Sequence, residues 1–266
     1  MTIADFHVHS DNSPDGENSV IELCENAVSM GTDIIAVTDH CEVNTFYKDS
    51  YDVGVRQSFV EVKKAISVFN NQIQVFMGLE LGQATFDLKT ANMITSSLPY
   101  DVILGSMHSL PNRNDFSFLS YNSIDADSLF SEYLEELFKL ICWGGFDVLS
   151  HLTYPLRYMN GEQGLNLSPC DFTPLIEKVM REIIIRGIAL EVNTSGLRQK
   201  YGKTMPDLYC LKLYKSLGGK LITLGSDAHR AEDIGKGIPE GIKLLKQAGF
   251  DKYCIYKKRK PEFILI

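Results

Sequence analysis

An α/β fold on parallel strands is predicted by three features of the 266-residue sequence. Short β-branched runs alternate about seven times with longer amphipathic runs, the short runs are apolar almost throughout, and glycine closes several of the long ones. A strand buried on both faces has no polar side to show, so its sequence reads as continuous apolar residues rather than as an alternation. Repeated strand–helix units join parallel strands through right-handed crossovers. A TIM-like barrel and a doubly wound open sheet both satisfy this. No glycine-rich nucleotide loop follows the first strand, so the open sheet loses ground.

The first strand is residues 3–8 (IADFHV). A helix follows over 19–31, where Val20, Leu23, Cys24, Ala27 and Val28 form one apolar face and Gly31 ends it. Strand 33–39 (DIIAVTD) leads through a helix over 58–70 to strand 73–80 (IQVFMGLE). Strand 101–107 (DVILGSM), helix 125–145, strand 146–151 (FDVLSH), helix 173–187 and strand 188–193 (IALEVN) come next. Helix 205–219, strand 220–226 (KLITLGS) and helix 234–250 complete the series. Pro174 and Pro206 fall in first turns, where a helix tolerates the missing N–H. Gly187 and Gly218-Gly219 fall where helices stop. Residues 252–266 read as two strands about Lys257-Lys258-Arg259-Lys260, a basic turn expected to be solvated. The whole chain, 1–266, is expected to be one domain, a size at which α/β barrels are commonly undivided.

The composition is that of a soluble globular protein, 44% hydrophobic and 23% charged. A net charge of −8 argues against a nucleic-acid binder, which would carry a basic face. It does not exclude a phosphorylated small substrate, because bound cations reverse the local field. Cys24, Cys41, Cys142, Cys170, Cys210 and Cys254 are scattered without a CxxC pair and read as packing residues. The start, MTIADFHVHS, has no basic segment before an apolar one, and no run nears the ~20 apolar residues of a membrane helix. A reduced, cytoplasmic protein without membrane contact is expected.

The histidines carry the functional signal. His7 and His9 end the first strand, His40 follows the second, His108 the fourth, His151 ends the fifth and His229 follows the seventh. These are all six in the chain, and each lies at the C-terminal end of a predicted strand, the face on which a barrel builds its active site. Glu80 ends the third strand, Asp227 the seventh, and Asp15 lies in the first strand–helix loop. Taken singly, HxH is a weak motif, Glu80 could be a paired buried acid, and Asp15 could be a turn former beside Pro14 and Gly16. Taken together, accidental convergence on one face is a poor explanation. Alternate strand residues share a face, so His7 and His9 can reach one ion. Imidazole with carboxylate suits Zn, Mn or Fe better than Ca or Mg. Nine candidates exceed the four ligands of a tetrahedral ion, which implies two or three metals with a carboxylate such as Glu80 bridging two.

The segments DFHVHSDNSPDG, AVTDHCE, MGLELG, ILGSMHSL, DVLSHLTYPLRY, LEVNTSGLR and LGSDAHR, in this order, resemble the polymerase and histidinol phosphatase (PHP) family of metal-dependent phosphoesterases. The resemblance implies a distorted (β/α)7 TIM-like barrel with a trinuclear site at the C-terminal ends of the strands. It implies a first metal on His7, His9, Glu80 and Asp227, a second on Glu80, His108 and His151, and a third on Asp15, His40 and His229. Asp15 stands where several members carry histidine, which shifts preference towards harder ions such as Mn or Fe. The segments SHLTYPLRY and NTSGLR are most similar to the stand-alone branch acting on L-histidinol phosphate, and no polymerase segment accompanies them.

On that basis the expected reaction is hydrolysis of L-histidinol phosphate, with a hydroxide bridging two metals attacking phosphorus. Asp227 or His229 would move a proton. Arg157 and Arg198, in the loops after the fifth and sixth strands, would hold phosphate oxygens, with Arg230 a weaker candidate. Glu42, Phe116, Tyr154 and Tyr158 lie in the right loops for the imidazole and amine, but each taken singly reads more readily as a packing residue, and none is assigned a role. The rivals are a PHP phosphoesterase for a nucleotide, a nucleic-acid end or phosphotyrosine, and a non-catalytic metal-binding module. An amidohydrolase ranks lower, since no lysine stands at a strand end.

Overall fold

All seven predicted strands form among the residues that the computed structural model describes, 2–121 and 124–266. Met1, Asn122 and Ser123 lie outside the described residues, the last two within the 111–125 loop. The chain runs β1 (Ala4–Val8), α1 (Val20–Met30), β2 (Ile34–Val37), β3 (His40–Glu42), α2 (Tyr51–Val68), β4 (Gln74–Gly82), α3 (Leu88–Ser97), β5 (Val102–Ser106) and α4 (Ala126–Trp143). It continues through β6 (Val148–Leu149), α5 (Tyr154–Leu156), α6 (Thr173–Arg186), β7 (Ala189–Asn193), α7 (Leu208–Ser216), β8 (Ile222–Gly225) and α8 (Ile238–Gln247) to β9 (Lys252–Lys257) and β10 (Lys260–Leu265).

The sheet order is β1-β2-β4-β5-β6-β7-β8, parallel throughout. The seam between β8 and β1 nearly closes it into a barrel. There Val8 bridges Ala228, the His9 N–H donates to the Ala228 carbonyl at 2.8 Å, and the Asp227 N–H donates to the His7 carbonyl at 2.8 Å. Buried Asp5 completes the seam, accepting from the Ser226 N–H and hydroxyl and from the Gly235 N–H. The seven strands of the expected (β/α)7 barrel are therefore present, with the three-residue β3 added beside β4.

Local chemistry explains the well-read elements. Ser19 caps α1 in a capping box with Glu22, and Gly31 ends it at φ 72°. Apolar faces of α4 and α6 bury Leu134, Leu137, Ile176 and Val179 against the core. Four elements depart from expectation. Helix α2 starts at Tyr51, seven residues before the expected 58, and runs through Gly54, where an added Cβ would meet the Asn12 carbonyl at 2.9 Å. Helix α3 was not predicted; it buries only Ala91 and Ile94 and is started by Asp87, which accepts from the Lys89 and Thr90 N–H groups. Strand β6 pairs at only two residues, and residues 157–162 after it form a π-helical turn. The basic turn is not merely solvated. Arg259 pairs with Asp147 and donates to the Gly145 carbonyl, while the Lys258 and Arg259 N–H groups bond to Asp101. The β9–β10 hairpin is thereby pinned at the N-terminal ends of β5 and β6, opposite the histidine face. Among the described residues, no helix is long and apolar enough to cross a membrane.

Candidate metal centre

The structure brings all nine sequence-predicted ligand candidates into one basin at the C-terminal ends of the strands. Glu80, in β4, lies at its centre, and its two oxygens face different histidines. Oε2 is 3.3 Å from His7 Nε2, 3.5 Å from His9 Nε2 and 2.9 Å from His40 Nδ1. Oε1 is 2.8 Å from His151 Nε2 and 3.3 Å from His108 Nε2. Asp227 Oδ1 closes the first group, 3.8 Å from His7 Nε2 and 3.4 Å from His9 Nε2. At the rim, Asp15 approaches His229 Nε2 at 3.2 Å and His40 Nε2 at 3.7 Å. Those two imidazoles stand 3.4 Å apart, Nε2 to Nε2, and the rings of both stack on His9 with centroids 4.2 Å away.

A second layer fixes which nitrogen each imidazole presents. Glu191 lies 2.6 Å from His7 Nδ1, and Glu42 lies 2.8 Å from His108 Nδ1. Ser13 donates its hydroxyl proton to Asp39 at 2.8 Å, so its oxygen accepts from His9 Nδ1 at 3.1 Å and from the His40 N–H at 3.0 Å. His229 Nδ1 donates to the Asp227 carbonyl at 3.1 Å. A carboxylate or carbonyl can only accept, so these four rings carry hydrogen on Nδ1 and turn Nε2 to the basin. Asp39 itself is saturated, also accepting from the Ser10 N–H, the Ser10 hydroxyl and the Ser58 hydroxyl.

These side chains fit metal ions. His7 Nε2, His9 Nε2 and Glu80 Oε2 are buried without a hydrogen-bond partner, an arrangement that would be costly were no cation to complete it. Metal–ligand bonds of about 2.0–2.1 Å in a tetrahedron set donor atoms about 3.3 Å apart. The imidazole-to-carboxylate separations from His7 and His9 to Glu80 and Asp227 are 3.3–3.8 Å. Among the described residues, three groupings are compact enough to hold an ion: His7 with His9 and Glu80, His40 with Glu80 and His108, and His9 with His40 and His229.

Electrostatics points the same way. Burial alone would push the Glu80 carboxyl up, but His7, His40 and His108 hold it well below the usual carboxylate range. Asp227 is held down likewise, burial being outweighed by His7, His9 and His229. Burial opposes charge on His7, yet Glu191, Glu80 and Asp227 raise it well above the ordinary imidazole value. His9 goes the other way, lowered by burial and by the neighbouring His229 and His40. Anionic carboxylates thus ring the basin and call for positive charge that the imidazoles cannot all supply.

A cavity of about 640 Å³ opens onto the basin, within the range of small-molecule sites. Arg157 lines it, its guanidinium 5.2 Å from the Tyr158 ring, 5.7 Å from the Tyr154 ring and 3.8 Å from Asp227. Arg198 is more committed. It donates to the Ser226 carbonyl at 2.8 Å and to those of Asp227 and Lys236 at 3.4 Å, in a smaller groove beside His229. Arg230 is tied to Glu17 at the surface. Of the unassigned loop residues, Tyr154 and Tyr158 line the cavity, Phe116 is buried against Tyr133, and Glu42 holds His108. Sequence reasoning missed Glu191, Asp39 and Ser13. The strand context of Glu191 (ALEVN) gave one signal, a charged residue flanked by apolar ones in the middle of a parallel strand.

Residues 5–195 match the family model described as PHP domain. The chain belongs to the PHP family. Two similar sequences and a solved structure span nearly its full length. A probable histidinol-phosphatase of Thermotoga maritima is 30% identical over 258 residues, 96% of each chain. A histidinol-phosphatase of Lactococcus lactis is 26% identical, covering 98% of this chain and 96% of that one. The crystal structure of histidinol phosphate phosphatase from Lactococcus lactis, complexed with Zn, L-histidinol and phosphate, superposes with a TM-score of 0.82. It is 23% identical and covers 98% of this PHP chain and 99% of that chain, which establishes the shared barrel.

Proposed function

We propose that this PHP protein hydrolyses L-histidinol phosphate to L-histidinol and phosphate, using two or three divalent ions of Zn, Mn or Fe. The observation that carries the reading is Glu80, whose two oxygens face two separate sets of histidines. Full-length relatives named as histidinol-phosphatases supply the substrate. In this reading His7, His9, Glu80 and Asp227 hold one ion, Glu80, His108 and His151 a second, and Asp15, His40 and His229 a third. Such ions, when bound, neutralise phosphoryl oxygens and make water a stronger acid.

The chain's own residues do the rest. The Arg157 guanidinium, beside the Tyr154 and Tyr158 rings, would bind phosphoryl oxygens through paired N–H donors. Arg198 holds the Ser226–Asp227 turn through its carbonyls and offers its remaining donors to phosphate. Asp227 and His229, at the boundary between the basin and both grooves, are the groups placed to carry a proton to or from water or the leaving alkoxide. In this reading the whole chain acts as one domain and the reaction runs in the cytoplasm.

Phosphate release from L-histidinol phosphate, beside sugar phosphates, nucleotides and phosphotyrosine, tests this, with metal content measured on the same preparation. A kcat/KM above ~10⁴ M⁻¹s⁻¹ on L-histidinol phosphate alone is expected of a true substrate. Comparable rates across the panel, or a higher one on another ester, would remove the substrate assignment.

A further inference from the structure

Glu191 sits in the middle of β7, is 1% exposed, and belongs to no proposed ligand set. One of its oxygens, Oε1, meets His7 Nδ1 at 2.6 Å. The other, Oε2, accepts the His151 backbone N–H at 2.7 Å and the Asn193 side-chain amide at 3.2 Å. His7 and His151 come from opposite sides of the Glu80 carboxylate, one facing Oε2 and the other Oε1. A single buried side chain therefore touches both halves of the basin without entering either.

Two observations show that the fold is arranged around this carboxylate. His151 has φ 21°, a value that a non-glycine residue holds only when its surroundings impose it. Its N–H would be buried and orphaned in that conformation were Oε2 not there. On the neighbouring strand stands Gly225, where a Cβ would come within 2.4 Å of Glu191 Oε1 and of His7 Cβ. Only glycine leaves room for the carboxylate and the imidazole side by side.

We propose that Glu191 is a positioning residue for the metal centre: it fixes His7 with hydrogen on Nδ1 and pins the left-handed backbone of His151, so that both Nε2 atoms face the Glu80 carboxylate. The proposal rests on reading the basin as a metal site. Outer partners of this kind set the tautomer and orientation of a ligating histidine, and losing one weakens metal binding about 10–100-fold. Glutamine cannot replace Glu191, although it has nearly the same shape. With its carbonyl towards His7, its NH₂ opposes the His151 N–H, donor against donor. Turned round, its NH₂ donates to His7 Nδ1, which moves the imidazole hydrogen to Nε2 and blocks the ligand atom.

The test is Mn²⁺ and Zn²⁺ affinity of wild type and Glu191→Gln, by competition with a chromophoric chelator, with Glu177→Gln on the surface of α6 as control. Wild type binding tightly, the control matching it and Glu191→Gln binding about 10–100-fold more weakly with an intact circular-dichroism spectrum is the expected result. Equal affinity in Glu191→Gln overturns the positioning role. A wild type that binds neither ion overturns the metal-site reading instead. Should Glu191→Gln fail to fold, the wild type still decides: long-range ¹H–¹⁵N spectra of the Zn-loaded protein must show His7 with hydrogen on Nδ1 and metal on Nε2. The reverse tautomer overturns the proposal.

Discussion

The inner half of the ligand basin and its rim are built from the same residue types but held in different ways. His7, His9 and Glu80 are buried, and each of the two rings is fixed through Nδ1 by Glu191 or Ser13. Asp15, His40 and His229 have side chains 61%, 15% and 26% exposed, and Asp15 hangs from a turn-rich loop. The inner donors have already given up their freedom and their water when the chain folds, so an ion there meets a prepared site. The rim must order Asp15 and strip its water at the moment of binding. The difference predicts two classes of metal: tight inside, exchangeable at the edge.

The largest effect should come from the inner side. Glu80→Gln removes a charge shared by five imidazoles, and the loss of several kcal/mol of charge stabilisation corresponds to roughly 10³-fold in kcat/KM. Metal analysis of that variant should show more than one equivalent gone; full occupancy would contradict the central role of Glu80. Asp15→Asn should be milder. We expect one equivalent of metal to be lost on dialysis and activity to drop within the roughly 10–100-fold range of a weakened ligand environment. If every ion leaves together, the distinction between inner half and rim fails.

Proton competition acts on both sides, since His7 inside and His40 at the rim are each raised above the ordinary imidazole value. Burial lowers the affinity of His40 for a proton, but Glu80 and Asp15 more than compensate and lift its pKa to about 9. In the metal-free protein His40 is therefore protonated at neutral pH, and a rim ion must displace that proton. Affinity for the exchangeable ion should rise about tenfold per pH unit from 6 to 9 and flatten above. Isothermal titration in Mn²⁺ at several pH values measures the slope, and a flat profile refutes it. The smallest change is expected from Arg230→Ala. That side chain pairs with exposed Glu17, so kcat/KM should stay within about twofold. A larger loss would return Arg230 to the phosphate site.

The ligands were legible because metal chemistry uses rare residue types at fixed points of a repeating unit. Six histidines at strand ends stand out in any reading of this sequence. Their supports did not, because Glu191 and Asp39 are common residues whose meaning lies in what they face across the barrel, 184 and 26 positions away in His7 and Ser13. Among the elements, α1 was readable from its cap, apolar face and terminal glycine. Helix α3 was not, since LKTANMITSS carries four hydroxyl residues and buries only two side chains. The early start of α2 was hidden by Gly54, a poor helix former kept by the approach of Asn12. Arg259 read as part of a solvated turn because its partners, Asp101 and Asp147, lie more than a hundred residues upstream.

The seam between β1 and β8 has a consequence for how the protein is made. Asp5 reaches Ser226 across 221 residues, and the first ligand pair meets Asp227 across a nearly equal gap. A ribosome releases the chain from its N-terminus, so His7 and His9 emerge before the partners that complete their set and wait for them. Until β8 leaves the exit tunnel there is neither a closed barrel nor a complete basin. A prematurely terminated product would carry the HxH pair and Glu80 without Asp227 or His229, able to scavenge metal but not to assemble the full ligand set.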